Sequence, residues 1–227
     1  MPESPLALVT GASRGIGAAV ARALAPAYRV LLGGRDVDAL AEQAAESPDA
    51  EPWPVDLSDL DGMRAAVAGI DRLDVLVHSA GTAELGTVEQ AVPSAWRKNF
   101  EVNVVAVAEL TRLLLPALRA AHGHVVIINS GQGLSARAGW GPYAASKHAV
   151  RAFADALRAE EPGIRVTSVY PGRTDTEMQQ AIIAGEGREY APDQYLRPDS
   201  VAAAVLSAVT ASPDAHISDV SIRPRPH

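Results

Sequence analysis

The sequence predicts an α/β fold built on a parallel, doubly wound sheet with helices on both faces, and two observations lead to this prediction. Short apolar runs of strand length alternate along the chain with amphipathic stretches of helical length. Repeated strand–helix–strand units of this kind form parallel sheets, because each helix crosses back over the sheet between two strands. The chain has 227 residues and shows neither an internal repeat nor a low-complexity linker, so we expect a single domain over residues 1–227.

The apolar periodicity predicts the elements in order. Strands are expected at Leu6–Val9, Arg29–Leu32, Pro52–Val55, Leu73–His78, His124–Asn129 and Arg165–Val169. Helices are expected at Gly15–Ala25, Asp36–Glu46, Ser58–Ala68, Pro93–Ala121 and Tyr143–Glu160. Asp36 and Ser58 are residue types that cap helix N-termini. The stretch Asp175–Pro198 contains several Gly and Pro residues and predicts an insertion after the sixth strand, where we expect a substrate lid.

Composition and charge argue against several classes of function. The chain contains no cysteine, which rules out disulfides, thiol nucleophiles and thiolate metal sites, and which fits a reducing, cytoplasmic setting. The net charge of -7 and the scattered basic residues argue against a nucleic-acid partner. The N-terminal residues do not resemble a signal peptide, and the most apolar candidate for a membrane span, Val102–Leu118, is interrupted by polar residues. We therefore expect no membrane association and no metal site.

A glycine-rich loop follows the first strand and opens the first helix. Its sequence, Thr10-Gly11-Ala12-Ser13-Arg14-Gly15-Ile16-Gly17, has the spacing G-x-x-x-G-x-G. Glycine lets a backbone turn tightly and approach a pyrophosphate, and a helix N-terminus supplies unpaired N–H groups and a partial positive charge. An isolated match of this kind is also compatible with an ordinary glycine-rich connection. The interpretation as a phosphate loop therefore depends on the residues downstream.

The end of the second strand bears on the choice of cofactor. In enzymes that bind NAD, an acidic residue at this place hydrogen-bonds the adenosine ribose. Here Gly34 occupies the place, Arg35 follows it, and Arg14 lies in the glycine-rich loop. Guanidinium groups bind a phosphate with two parallel hydrogen bonds, so NADP(H) is expected rather than NAD(H), with Asp36 capping a helix and pointing away. The alternative is that Arg35 only carries its charge from the strand end into solvent.

Tyr143 and Lys147 stand four residues apart at the start of a predicted helix, and Ser130 follows the fifth strand. Residues four apart share one face of a helix, and an ammonium beside a phenol lowers the pKa of the tyrosine from its usual value of about 10. Such a phenol can protonate a carbonyl oxygen while hydride arrives at carbon. Alone, a Tyr and Lys pair is more often a solvated surface pair. Ser130 and the first turn of this helix, however, are both expected at the carboxyl edge of the sheet, where ligands bind.

Together these motifs resemble those of the short-chain dehydrogenase/reductase family, and they follow in the family's order from Thr10 to Thr176. The resemblance implies a Rossmann-type fold and an oxidoreductase that moves a hydride between NADP(H) and a carbonyl or secondary alcohol. The chemistry at carbon belongs to the cofactor. It also implies a small-molecule substrate and a homodimer or homotetramer, which the long apolar regions Pro93–Ala121 and Tyr143–Glu160 support.

The resemblance implies a catalytic role for four residues. Tyr143 would be the general acid in reduction and the base in oxidation, and Ser130 would hydrogen-bond the substrate oxygen. Lys147 would lower the pKa of Tyr143 and bind the nicotinamide ribose. Asn103 would hold a water that links Lys147 to solvent; for this residue, a buried amide satisfied by local hydrogen bonds is the alternative.

The resemblance also implies the cofactor contacts. Asp56 would meet the adenine, while the backbone of Thr174 and the hydroxyl of Thr176 would face the carboxamide. Ser79 stands where the family has Asn, and its side chain reaches less far. The full set of expected cofactor-binding residues is Gly11, Ser13, Arg14, Gly15, Ile16, Gly17, Arg35, Asp56, Leu57, Ser79, Ala80, Gly81, Tyr143, Lys147, Pro171, Gly172, Thr174 and Thr176.

The substrate wall is expected to include Gln132, Leu134 and Trp140, together with parts of the segment 175–198. The apolar side chains of Leu134 and Trp140 suggest a substrate with an apolar group, such as a ring, beside its carbonyl. Three alternatives stay open from the sequence. They are an NAD-dependent alcohol dehydrogenase of the same family, a non-catalytic NADP-sensing protein on the same fold, and a scaffold subunit that works only in a hetero-oligomer.

Overall fold

The computed structural model describes residues 4–225 and contains one parallel sheet. Its strands are β1 Leu6–Thr10, β2 Arg29–Gly34, β3 Ala50–Pro54, β4 Val75–His78, β5 His124–Ile128, β6 Arg165–Pro171 and β7 Asp219–Ile222. Within the described residues the seven strands lie in the order β3-β2-β1-β4-β5-β6-β7. The doubly wound parallel sheet predicted from the sequence is therefore confirmed. Of the expected domain over 1–227, Met1–Glu3 and Pro226–His227 lie outside the described residues.

Helices cover both faces of this sheet. They are α1 Gly15–Leu24, α2 Val37–Ala45, α3 Leu60–Ala66, α4 Pro93–Phe100, α5 Ala106–Ala121, α6 Gly141–Glu160, α7 Glu177–Gly185 and α8 Pro198–Val209. A π-helical turn, Glu101–Val105, joins α4 to α5, so the long helical region predicted over Pro93–Ala121 is continuous but widened at its middle. No helix within residues 4–225 is both long and apolar enough to cross a membrane.

The structure confirms one predicted helix cap and corrects the other. The carboxylate of Asp36 accepts the N–H of Ala39 at 3.1 Å and caps α2, as predicted. The prediction that Ser58 caps the third helix is wrong, because α3 is capped by Asp59, whose carboxylate accepts the N–H of Gly62 at 3.0 Å. Both are good capping residue types and they are adjacent in sequence, so the sequence alone does not choose between them.

Each face of the sheet buries its own core. In β1, Ala7 and Val9 belong to the core under α1, α2 and α8, whereas Leu8 belongs to the core under α5 and α6. Successive strand residues point to opposite faces, so a strand covered on both faces must be apolar throughout. This explains why the central strands are visible in the sequence as short, unbroken apolar runs.

Strand β7, which the sequence did not predict, closes the sheet beside β6. Its register places Val169 against Val220. The N–H of Gly172 donates to the carbonyl of Ile222 at 2.7 Å, and a Cβ on Gly172 would lie 2.8 Å from Cδ of Pro224. The C-terminal segment therefore packs directly against the loop that follows β6.

The strand order places a crevice at the carboxyl edge of the sheet. After β1 the chain winds outward through β2 and β3, and then returns to the other side of β1 with β4. At such a switch point the loops after the two neighbouring strands diverge and leave room for a ligand. The loops that follow β5 and β6 reach the same edge.

Candidate active site

The glycine-rich loop between β1 and α1 is shaped by close packing. Gly11 and Gly15 have φ values of 65° and 58°, in the left-handed region that glycine adopts at little cost. A Cβ on Gly17 would lie 2.1 Å from the carbonyl oxygen of Gly11, and a Cβ on Gly11 would lie 2.8 Å from the nitrogen of Ala80. Among the described residues no side chain caps α1 at Arg14, so its first N–H groups remain available to an anion.

Thr10, at the end of β1, ties this loop to the one after β4. Its Oγ1 accepts the N–H groups of Ser79 and Ala80, each at 3.1 Å, and donates to the carbonyl of Val77 at 3.3 Å. The loop in which Ser79 replaces the family's Asn is thus held by its backbone. Thr10 was not among the predicted site residues, although its position immediately before Gly11 was a signal for it.

A cleft of about 1190 Å³ runs along the carboxyl edge of the sheet. Its volume exceeds the range of about 300–1,000 Å³ typical of small-molecule pockets, which suits an extended ligand. Most of the expected cofactor-binding residues line it, namely Gly11, Ser13, Arg14, Gly15, Ile16, Gly17, Arg35, Asp56, Leu57, Ser79, Ala80, Gly81, Tyr143, Lys147 and Thr176. Three expected residues, Pro171, Gly172 and Thr174, are not part of its lining and lie at and just after the end of β6.

Arg35 and Asp56 both line the cleft, and they are close enough for the charge of Arg35 to act on Asp56. No side chain extends from Gly34, and Asp36 is engaged in capping α2. Oδ1 of Asp56 accepts the hydroxyl and the N–H of Ser58 at 2.7 and 2.9 Å. These two hydrogen bonds, with a smaller contribution from Arg35, hold the pKa of Asp56 below its usual value. Within the described residues, the cleft therefore has no free carboxylate at the position that binds the ribose in NAD enzymes.

Tyr143 and Lys147 line the cleft, whereas Ser130, which acts on Tyr143, is not part of its lining. Tyr143 and Lys147 lie on the buried face of α6, and the Lys147 ammonium is 5.8 Å from the centroid of the Tyr143 ring. Nζ of Lys147 donates to the carbonyl of Ile128 at 3.0 Å. The Ser130 side chain lies close enough to the Tyr143 hydroxyl to oppose the rise of its pKa, and its Oγ accepts the N–H of Gln132 at 3.1 Å.

Burial controls the protonation of both groups on α6. It raises the pKa of Tyr143 above its ordinary value, and the Ser130 side chain opposes this rise only in part. Burial lowers the pKa of Lys147 to about 8. The sequence predicted a lowered pKa for Tyr143. The structure corrects this direction for the ligand-free molecule, because loss of solvation disfavours the phenolate.

Asn103 lies in the π-helical turn and uses its amide to hold the loop after β4. Its Oδ1 accepts the N–H of Thr82 at 2.9 Å, and its Nδ2 donates to the carbonyl of Thr82 at 2.9 Å and to Oγ of Ser146 at 3.0 Å. Both amide donors are therefore used within the protein. A Cβ on Gly81 would lie 3.1 Å from Oδ1 of Asn103 and 3.9 Å from Nζ of Lys147, so these two atoms border the same small space.

Of the three side chains expected to form the substrate wall, only Trp140 lines the cleft. Its ring lies edge-to-face against Tyr143, with 5.9 Å between centroids. Gln132 is buried, and its Oε1 accepts the N–H of Arg137 at 3.1 Å, so it orders the following loop instead. Leu134 is exposed outside the cleft. The expectation for Gln132 and Leu134 is corrected, because a short 3₁₀ turn at Gly131–Gly133 redirects the chain after Ser130.

The rest of the wall comes from α7, which lies in the segment 175–198 where part of the wall was expected, and from the loop after β4, α4 and the turn that follows it, which were not predicted. The lining residues there are Ala83, Leu85, Thr87, Gln90, Lys98, Val102, Met178, Ala181, Ile182 and Glu186. The amide of Asn99 binds the N–H and the carbonyl of Glu84 at 3.2 and 2.9 Å, so a second buried Asn holds this loop. The two Asn residues of this helical region, Asn99 and Asn103, were the signal in the sequence that could have indicated the position of the loop after β4.

The segment 175–198 contains α7 and lies beside the cleft. The Glu186 carboxylate accepts two hydrogen bonds from Arg173, at 2.7 and 3.2 Å, which joins the end of α7 to the loop after β6. At the other end of α7, Glu177 forms an ion pair with Arg14 at 2.8 Å. The predicted insertion therefore contains a helix that contacts the glycine-rich loop.

Thr176 and Thr174 are placed differently from the expectation. The Thr176 hydroxyl caps α7 by accepting the N–H of Gln179 at 3.2 Å and donates to the carbonyl of Thr174 at 3.3 Å. It is thus engaged within the protein rather than free to face a carboxamide, while its methyl group borders Gly15. Thr174 forms a parallel bridge with Leu196, which leaves its own N–H on the side away from Leu196.

Comparison with known proteins agrees with this geometry. The family model described as short chain dehydrogenase matches residues 5–187. The chain belongs to the short-chain dehydrogenase/reductase family. Dehydrogenase/reductase SDR family member 11 of Mus musculus is 32% identical over 243 residues, which cover 96% of this chain and 94% of that relative.

Two solved structures show the same fold. An alcohol dehydrogenase from the archaeon Thermococcus sibiricus, complexed with 5-hydroxy-NADP, has a TM-score of 0.89 and 28% identity, covering 99% of this chain and 100% of that chain. A metagenomic short-chain oxidoreductase in complex with NADP has a TM-score of 0.81 and 32% identity, covering 98% of each chain. This short-chain dehydrogenase/reductase is therefore an oxidoreductase of a family that uses nicotinamide cofactors and acts on small molecules.

Proposed function

We propose that the protein is an NADP(H)-dependent carbonyl reductase, also able to oxidise the corresponding alcohol, in which Tyr143 transfers the proton. The observation that carries this proposal is that Tyr143 and Lys147 line the same cleft as the glycine-rich loop, with Ser130 next to the Tyr143 hydroxyl. When bound, the cofactor supplies or accepts the hydride. The packing of Gly11 and Gly17 and the uncapped N-terminus of α1 fit its pyrophosphate.

The chain's own residues supply the proton transfer. The raised pKa of Tyr143 keeps its hydroxyl protonated at neutral pH, as the acid of a reduction requires. Oγ of Ser130 accepts a backbone N–H, so its hydroxyl proton remains for the substrate oxygen or for Tyr143. The Lys147 ammonium, charged below a pH of about 8, stabilises the tyrosinate that the transfer leaves.

We assign the reprotonation of Tyr143 to a water molecule in the space beside Gly81. A water there would contact Oδ1 of Asn103, which keeps one lone pair, and Nζ of Lys147. This arrangement supports the relay role of Asn103 even though its two amide donors are used elsewhere.

The preference for NADP(H) rests on charge. Arg14 and Arg35 both line the cleft, Gly34 offers no carboxylate, and Asp36 is engaged in a helix cap. Two guanidinium groups favour a ligand with an additional phosphate. The alcohol dehydrogenase of Thermococcus sibiricus and the metagenomic oxidoreductase were both solved with NADP-type ligands, which supports the same choice.

We further propose that residues 1–227 form one NADP(H)-binding domain in which 175–198 acts as a substrate lid. The apolar side chains of Trp140, Leu85 and Ile182 favour a substrate with an apolar group beside its carbonyl. We also propose a homodimer or homotetramer, formed through the helical regions Pro93–Ala121 and Tyr143–Glu160. Light scattering at micromolar concentration tests the assembly, and a monomer there would refute it. The cytoplasmic location expected from the cysteine-free composition stays a prediction.

The activity is tested by following oxidation of NADPH and of NADH over aldehydes, cyclic ketones and 3-oxo esters. We expect turnover with NADPH for at least one class, and its loss in Tyr143→Phe. Equal turnover with NADH would favour an NAD-dependent enzyme of the same family. Tight NADPH binding without turnover of any carbonyl would favour an NADP-sensing protein.

A further inference from the structure

Three consecutive residues at the end of β5 each contact α6, and the middle one has no role in the proton transfer described above. The carbonyl of Ile128 accepts Nζ of Lys147 at 3.0 Å, and the Ser130 side chain lies close enough to the hydroxyl of Tyr143 to act on its pKa. Between them, Nδ2 of Asn129 donates to the main-chain carbonyl of Lys147 at 3.1 Å. Asn129 was not among the predicted site residues.

The amide of Asn129 is held at both of its polar atoms. Its Oδ1 accepts the N–H of Ser130 at 2.8 Å, so a single carboxamide links the backbone of Ser130 to the backbone of Lys147. The main-chain N–H of Asn129 donates to Val169 at 2.8 Å, which anchors the residue in the sheet, and the residue is only 4% exposed. The side chain is therefore fixed relative to both β5 and α6.

The neighbouring turn makes room for this amide. A Cβ on Gly133 would lie 2.4 Å from Oδ1 of Asn129 and 2.9 Å from the carbonyl oxygen of Lys147. Any larger residue at Gly133 would displace the amide or the helix. The carbonyl of Lys147 lies inside α6 and has a second lone pair, so it can accept the Asn129 amide without giving up its helical hydrogen bond.

Few side chains can make both bonds of Asn129. The residue must accept from one backbone group and donate to another across a short distance. Aspartate lacks the donor unless it is protonated, serine is shorter, and leucine has the size but neither polar group. The chemistry of the site therefore requires a short carboxamide.

We propose that Asn129 is a positioning residue that sets the distance between Ser130 and α6, so that the hydroxyls of Ser130 and Tyr143 reach the same substrate oxygen. This proposal rests on the proposed function. Proton transfer requires heavy atoms about 2.6–3.2 Å apart, and the two hydroxyls come from different elements, a loop after β5 and a helix. The Asn129 amide is a rigid connection between those elements beside the reacting groups.

The test compares Asn129→Ala and Asn129→Asp with Thr167→Ala. Thr167 is a matched control, because its buried Oγ1 also makes two hydrogen bonds, to Ile217 and His124, near the amino edge of the sheet. We expect Asn129→Ala to lower kcat at least about tenfold, because small displacements of reacting groups are costly, while the Kd for NADPH changes little. Asn129→Asp should recover activity as pH falls, because a protonated carboxyl can donate to Lys147 again. Thr167→Ala should lose thermal stability and keep its kcat and pH profile.

A second measurement needs no substrate. The sequence contains two lysines, Lys98 and Lys147, so isotope-labelled lysine yields two NMR signals, which Lys98→Arg assigns. In Asn129→Ala we expect the pKa of Lys147 to rise from about 8 toward its ordinary value, because the helix is released from β5.

The outcomes separate the two proposals. If the unmutated protein reduces no carbonyl, the proposed function fails, and the titration of Lys147 still decides whether Asn129 positions α6. If Asn129→Ala is destabilised like Thr167→Ala but keeps both its kcat and the pKa of Lys147, the amide is only structural and the positioning role is refuted. Asn129→Asp preserves side-chain size, so its pH profile supplies the answer if Asn129→Ala does not fold.

Discussion

Arg14 in the glycine-rich loop and Glu177 at the start of α7 form an ion pair of 2.8 Å beside the cleft. The pair connects the loop proposed to bind phosphate with the segment proposed to be a lid. Both side chains are largely exposed, at 67% and 63%, so the pair contributes at most about 1 kcal/mol to stability. A phosphate group that enters the cleft would compete with the Glu177 carboxylate for the same guanidinium.

The first prediction follows from this competition. Glu177→Gln releases Arg14, so NADPH should bind about threefold more tightly while NADH binding stays unchanged, as measured by fluorescence titration at low salt. The difference should shrink at high salt, because exposed charges are screened. It should also vanish when Arg14→Ala is added. A variant that binds both cofactors more tightly to the same degree would show that Glu177 does not compete with the additional phosphate.

The second prediction concerns cofactor choice at Arg35. We expect the unmutated protein to bind NADPH at least tenfold more tightly than NADH, about 1.4 kcal/mol. Arg35→Ala should remove most of this preference, because the guanidinium lies in the cleft beside Asp56. Arg29→Ala, which removes a charge from the other end of β2, is the matched control and should leave the preference intact. Equal affinity of the unmutated protein for both cofactors would refute the assignment.

The sequence predicted most of the fold because its central strands are buried on both faces. The edge strand β7 was missed, since Asp219 and Ser221 interrupt its apolar pattern and only one of its edges is paired. The five strands that are paired on both edges produce strong apolar runs, whereas the partly exposed edge strand β7 does not.

The sequence predicted the reacting groups better than the walls of the cleft. Ser130, Tyr143 and Lys147 are placed by regular elements, β5 and α6, whose periodicity the sequence reveals. Gln132 and Leu134 follow a 3₁₀ turn, and no periodic pattern indicates which way such side chains point. The position of the loop after β4 was not predicted for the same reason, because it depends on hydrogen bonds to buried amides and not on a periodic pattern.

The third prediction concerns the segment 175–198. Ion pairs of Arg173 with Glu186 and of Arg14 with Glu177 hold it to the body, and a hydrogen bond of 2.5 Å from Tyr190 to Asp175 lies within the segment itself. Such ties open at lower free energy than a central strand does. We expect hydrogen exchange in α7 to be faster than in β1, β4 and β5 in the ligand-free protein, and to slow when NADP is added. Exchange as slow as in those strands without ligand would contradict a lid.

The fourth prediction concerns stability in acid. Burial lowers the pKa of His78 and of His124 to about 3, and His78 is held by a hydrogen bond of 2.9 Å to Thr111. The unfolded chain binds protons at these histidines near pH 6.5, whereas the folded chain does not. Stability is therefore fully present above about 6.5 and is lost as pH falls toward 3, by up to about 1.4 kcal/mol per pH unit for each histidine.

Urea unfolding at several pH values between 5 and 7.5 measures this slope. His78→Gln should reduce the slope by the share of one histidine. His148→Gln, which changes an exposed histidine, should not. A free energy of unfolding that stays constant from pH 7 to pH 5 would show that neither buried histidine resists protonation.

The last prediction tests Tyr143 as the proton donor. Tyr143→Phe removes only the hydroxyl, so packing should survive while turnover falls by about 10²–10⁴, the usual contribution of general acid catalysis. NADPH affinity should change little. Tyr170→Phe removes a buried hydroxyl outside the cleft lining and is the matched control. If Tyr143→Phe kept more than about a tenth of the turnover, with chemistry shown to be rate-limiting, Tyr143 would not be the acid.

The pH dependence of the reduction rate distinguishes the titration of Lys147 from that of Tyr143. The ammonium of Lys147 is present below a pH of about 8, while the raised pKa of Tyr143 keeps the phenol protonated there and above. The rate of reduction should therefore fall as pH rises through about 8, and this fall should be absent in Lys147→Met, which has no titrating group. Lys147→Met should also weaken NADPH binding, unlike Tyr143→Phe, because its ammonium is proposed to serve both the phenol and the nicotinamide ribose. A fall near pH 8 that persisted in Lys147→Met would assign the titration to another group.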